Sequence, residues 1–177
     1  MSILWFVAGL VLILIGTVCA VGALLPRDHQ ASASVVIPAP RDQVWAAVRD
    51  VASSTSWRTS LKSVAITGGP PDAPTAWTEV AASGAIKLQL VRADPPATLE
   101  TRVDDRGQPF GGSWTFDFTP ADADPAKTRV RITEHGFVKL PPFRFIARFF
   151  LGHHATISSY LNDLGAKFGA SEPVALE

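Results

Sequence analysis

The chain of 177 residues has a single cysteine, a single methionine and a single tyrosine. The cysteine, Cys19, lies inside an apolar run. The remainder therefore forms no internal disulfide and no cysteine-based metal site. An excess of charge is also missing, because 16 Lys and Arg cancel 16 Asp and Glu. No basic block is available to neutralise a phosphate backbone, which argues against nucleic acid as a partner. Gly-rich phosphate loops, paired-carboxylate motifs, HExxH and nucleophile elbows are absent. No catalytic residue, cofactor or metal is assigned from sequence.

What is present begins with Ile3–Leu25, a run without charge. As a helix it is about 34 Å long, enough to cross a hydrocarbon core of about 30 Å. No Lys or Arg precedes it, and it is long for a signal core, so it reads as a retained single-pass anchor. Arg27 follows the run, which leans towards a cytoplasmic domain on a cell membrane. The expected organisation is an anchor over 1–25, a linker over 26–31, a domain over 32–169 and a disordered tail over 170–177.

Within the domain, SASVVI (Ser32–Ile37) reads as a strand ended by Pro38 and Pro40. Val44, Ala47, Val48 and Val51 recur at helical spacing, and a Ser/Thr-rich bend with Trp57 follows. Six segments then alternate, centred on Val64, Trp77, Leu88, Thr101, Phe116 and Ile132. Period-two patterning with one polar face predicts an antiparallel sheet covered on one side. From Phe143 to Phe168 the apolar positions 146, 150, 157, 161, 164 and 168 predict one long helix, with Gly152 and Gly165 as weak points. That helix is the element large enough to cover the sheet.

SVVIPAPRDQVWAAVRDV, Trp57, DPPATLETRV, PFGGSWTFDFTP, TRVRITEHGFV and FRFIARFFLGHHATISSYLNDLGAKFG carry a family resemblance over residues 32–169. They resemble the SRPBCC superfamily of START lipid-transfer domains, and most of all its membrane-anchored bacterial polyketide cyclase/dehydrase members. The resemblance implies an α+β helix-grip fold, a curved antiparallel sheet around a long C-terminal helix. It also implies a cavity between sheet and helix for an apolar small molecule. The fold hosts carriers, enzymes and adaptor modules, so function does not follow from it alone.

On the concave side, Leu88, Leu90, Trp114 and Phe116 from the sheet and Phe150, His153, Ile157 and Tyr160 from the helix are candidate ligand contacts. His153 is a polar anchor on this reading. Adjacent His153 and His154 point about 100° apart, which disfavours a shared metal. Arg92 and Glu134 continue the inward parity of their strands, and two readings stay open: the strands end there and both point to solvent, or the two charges meet at a polar cavity mouth. Phe143–Leu151, with Arg144 and Arg148 one turn apart, fits either an interfacial segment or packing under loops.

Two functions stay open. One is a binding module for a lipid, isoprenoid or polyketide-like molecule. The other is a cyclase or dehydratase using His153 with Tyr160 or Glu134 as an acid–base pair. A protein adaptor is disfavoured by the polar outer positions Lys87, Gln89, Glu100, Arg102, Thr115, Asp117 and Arg131.

Overall fold

A computed structural model describes residues 2–122, 124–152 and 154–177. It places an α-helix, α1 (Ser2–Leu24), ahead of an antiparallel sheet. In chain order the rest is β1 (Asp28–Ile37), α2 (Arg41–Arg49), a 3₁₀ turn (Ser54–Ser56), β2 (Leu61–Gly68), β3 (Ala76–Ala81), β4 (Gly84–Asp94), β5 (Thr98–Val103), β6 (Phe110–Ala121) and β7 (Asp124–Val138). Then come α3 (Pro141–Ile146), a π turn (Ala147–Leu151), α4 (Ala155–Phe168) and β8 (Ala175–Leu176). The sheet order is β2-β3-β4-β5-β6-β7-β1-β8.

The alternating segments become strands because one face of each is apolar and one polar. On the inner face Phe116, Phe118, Val130 and Ile132 are buried with Val35 and Ile37 of β1. Ile157, Tyr160, Leu161 and Leu164 of α4 close over them. Val44, Trp45 and Val48 of α2 complete the core, with Trp45 edge-on to Phe118 at 5.3 Å between ring centroids. The helix-grip architecture is therefore observed, and α4 lies over β1 and β7. The sheet continues past it through β5, β4 and β3, and that overhang leaves room.

Four details differ from the sequence reading. The helix expected over 143–168 is in three pieces. Gly152 adopts φ 70° and ψ 151°, a conformation open essentially to glycine, and α4 restarts at Ala155. The linker expected over 26–31 is shorter, because β1 begins at Asp28 and pairs with Phe137. The tail expected to fray carries β8, which pairs with Ala33 and Ser34. Glu177 fastens it, accepting from Ser34 Oγ at 2.8 Å and pairing with Arg131 at 2.9 Å. Finally, Arg92 does not keep the inward parity. Leu90 faces Thr101, but Arg92 faces Glu100, so a bulge at Val91 turns Arg92 to the outer side. There it pairs with Asp94.

α1 is long and apolar enough to cross a membrane, and its most apolar stretch is unburied. Its last turn packs on α3, where a Cβ at Gly22 would collide with the Pro141 carbonyl. Only Leu25–Arg27 separate α1 from β1.

Candidate functional site

The overhanging strands enclose a cavity of about 330 Å³ between the sheet, the end of α2, the bend and α4. Ile86, Leu88, Leu90, Leu99 and Val103 supply its aliphatic wall, and Trp77, Phe110, Trp114 and Phe116 its aromatic wall. Alternation places these side chains inward. β4 pairs with β5 so that Leu88 meets Val103 and Leu90 meets Thr101.

Position along the strands matters as much as lining. In an antiparallel sheet the start of β1, the end of β7, the start of β6, the end of β5 and the start of β4 share one end. Glu134, Phe110, Gly111, Val103 and Gly84 line the cavity at that end. It is also the end where α1 joins the domain.

Tyr160 is the hub of the aromatic wall. Trp57, Trp114 and Phe116 each meet its ring edge-on, at 5.4, 5.9 and 5.4 Å between centroids. The Arg58 guanidinium lies over its face, 4.7 Å from the centroid. Burial pushes the phenol pKa well above its ordinary value, with Arg58 opposing and Glu79 reinforcing the shift. The phenol therefore stays neutral throughout the physiological range.

Arg58 also donates from Nη1 to Glu79 Oε1 at 2.7 Å, and Trp77 Nε1 donates to the same oxygen at 3.1 Å. The bend that carries Trp57 and Arg58 is latched to α4, since Thr59 N donates to Asp163 Oδ2 at 2.9 Å. Two guanidinium nitrogens of cavity-lining residues, Arg49 Nη1 and Arg58 Nε, are buried with no hydrogen-bond partner among the described residues. Burial lowers the Arg49 pKa from its usual value. At the other end of the cavity, Glu134 Oε1 lies 3.5 Å from His29 Nε2.

The structure brings six of the sequence candidates to this cavity: Leu88, Leu90, Trp114, Phe116, Tyr160 and Glu134. Three others lie elsewhere. Arg92 is turned outward by the bulge. Phe150 is 75 % exposed on the π turn, ahead of the break at Gly152 that shifts the phase of the helix. Ile157 is fully buried in the core, and its neighbour Thr156 lines the cavity instead. His153 lies outside the described residues.

Sequence reasoning missed Arg49, Arg58, Trp77 and Glu79. Trp77 and Glu79 sit two apart on one strand, so a shared face was readable, but the bend segment that supplies Arg58 has no periodicity. Among the described residues, no three His, Cys, Asp or Glu side chains converge to hold a metal ion.

A curved antiparallel sheet closed by a C-terminal helix over an apolar cavity defines the START-like class. The chain belongs to the polyketide cyclase/dehydrase and lipid transport family, whose profile matches residues 28–155. Solved structures agree on the fold. A START superfamily protein from Mycobacterium smegmatis superposes with a TM-score of 0.63 at 16 % identity, covering 80 % of this chain and 97 % of its own. A conserved protein from Geobacillus kaustophilus gives 0.64 at 15 % identity, covering 83 % and 99 %. Norcoclaurine synthase from Thalictrum, in complex with a transition-state analogue, gives 0.63 at 8 % identity, covering 81 % and 96 %. No curated protein matches the sequence. Family and fold together make the domain a ligand-binding or cyclase-like module.

Proposed function

We propose that the chain is a membrane-anchored binding module. It takes a lipid, isoprenoid or polyketide-like molecule into the cavity, with an acceptor group on the ligand meeting Arg49 and Arg58. The observation that carries this reading is the coincidence of three features at one end of the sheet: the apolar cavity, the apolar helix α1 and a three-residue connection. A ligand dissolved in the bilayer reaches such a cavity without crossing bulk water. The volume suits a small hydrophobic guest. Burying about 300 Å² of apolar ligand surface supplies about 7 kcal/mol before association costs. The two guanidinium nitrogens, unpartnered among the described residues, supply what the apolar walls lack, a reason to prefer a ligand with a polar oxygen-bearing end.

The test is native mass spectrometry of the full chain extracted from its host membrane. The expected result is a retained apolar molecule, lost in Val103→Trp, which fills the cavity from β5. Wild-type protein that carries nothing and fails to bind a fluorescent fatty-acid analogue would refute the proposal.

A further inference from the structure

A second cavity, of about 440 Å³, lies at the junction of α1, β1, the end of β7 and α3. Arg27, Arg144 and Arg148 line it, with Asp28 as its carboxylate. In a chain without net charge, this is a local concentration of cations. We propose that this cleft binds the phosphate of an anionic phospholipid headgroup. The proposal rests on α1 spanning the bilayer, but not on what occupies the apolar cavity under α4.

Depth is the first argument. α1 has a membrane-spanning stretch of 22 residues, Ile3–Leu24. Its length of about 33 Å matches the hydrocarbon core, so the residues that follow sit among the headgroups. Those residues, Leu25 to His29, form one wall of the cleft.

The second argument is how the cations are held. Arg144 is fixed in the wall, with Nε donating to Val138 O at 2.9 Å and Nη2 to Lys139 O at 2.8 Å. Arg27 lies over the Phe137 ring, 5.1 Å from its centroid. Among the described residues, neither Arg27 nor Arg148 has a carboxylate partner. Planar guanidinium groups in this state match phosphate oxygens two at a time.

The third argument is the surface beside the cleft. Phe143, Ile146, Phe149 and Phe150 are 47, 40, 57 and 75 % exposed. They lie on α3 and the π turn, and α3 is packed against α1 at Gly22. An apolar surface joined to a spanning helix, with arginines at its polar edge, is the pattern of a segment lying in the interface.

The experiment reconstitutes the full chain in nanodiscs of mixed phosphatidylglycerol and phosphatidylcholine, and counts retained lipids by native mass spectrometry. Phosphatidylglycerol should be retained in preference to phosphatidylcholine. The preference should fall about fivefold for each of Arg27→Gln and Arg148→Gln, and remain largely intact in the paired Lys variants. A double Gln variant that keeps the wild-type preference, with an unchanged near-UV spectrum, overturns the site. So does displacement of the lipid by millimolar inorganic phosphate, which would make the occupant a free anion. Alkaline carbonate extraction of cell membranes separates this result from the anchor. Release of the chain refutes the anchor and this site together; retention without headgroup preference refutes this site alone.

Discussion

Glu79→Ala probes the polar corner of the cavity. Glu79 Oε1 accepts from Arg58 Nη1 at 2.7 Å and from Trp77 Nε1 at 3.1 Å. The two charged side chains are only 12 % and 14 % exposed. Removing one partner of such a pair leaves the other charge desolvated, at a cost of about 3–5 kcal/mol when burial is complete. Residual exposure places the expected loss near the lower limit, about 3 kcal/mol. For a domain of this size each kcal/mol moves Tm by about 2–4 °C, so the variant should melt about 6–12 °C lower. The assay is thermal unfolding of the full chain in mild detergent, followed by near-UV circular dichroism. Glu79→Gln keeps an acceptor for Trp77 and loses only the charge, so its drop should be smaller. The double variant Arg58→Met, Glu79→Met should recover most of the loss, since neither charge remains. A Glu79→Ala protein melting within about 2 °C of wild type would refute the claim that this pair is effectively buried.

Tyr160 is the only tyrosine, so its phenol can be titrated by absorbance without interference. Its pKa is raised on folding, so its contribution to stability is complete below the ordinary value of 10.0 and is lost as pH rises beyond it. Phenolate absorbance should therefore appear together with unfolding, and titration near pH 10 in intact protein would contradict the burial. Gly22→Val should destabilise the packing of α1 on α3 by about 1–3 kcal/mol, measured by thermal unfolding in micelles. Gly16→Val, at a site where an added Cβ meets nothing, is the matched control and should have no effect.

The sheet was legible because alternation is a local signal. Trp114, Phe116 and Phe118 on β6 and Val130 and Ile132 on β7 each declare their face from their immediate neighbours. Glu134 keeps the parity of Val130 and lines the cavity, since no bulge interrupts β7 between them. The same rule failed for Arg92, because the bulge at Val91 depends on pairing with β5, and pairing is not local. The helical stripe failed in a related way. Phe150 and Ile157 share a phase only if the helix is continuous, and Gly152 at positive φ breaks it. Arg58 escaped notice because its role is assigned by Glu79, Tyr160 and the latch from Thr59 to Asp163, all distant in sequence. The tail was misread for the same reason. Nothing in residues 170–177 announces that β1 has an edge left to pair.

The three residues between α1 and β1 reach only about 10 Å when extended. With α1 seated in a bilayer, this domain is no shuttle. On the function proposed above, a bound ligand is not carried to a facing membrane, and anything that collects it has to come to the same leaflet and dock there. Traffic on that reading runs sideways along one surface, and its speed is governed by encounters in two dimensions.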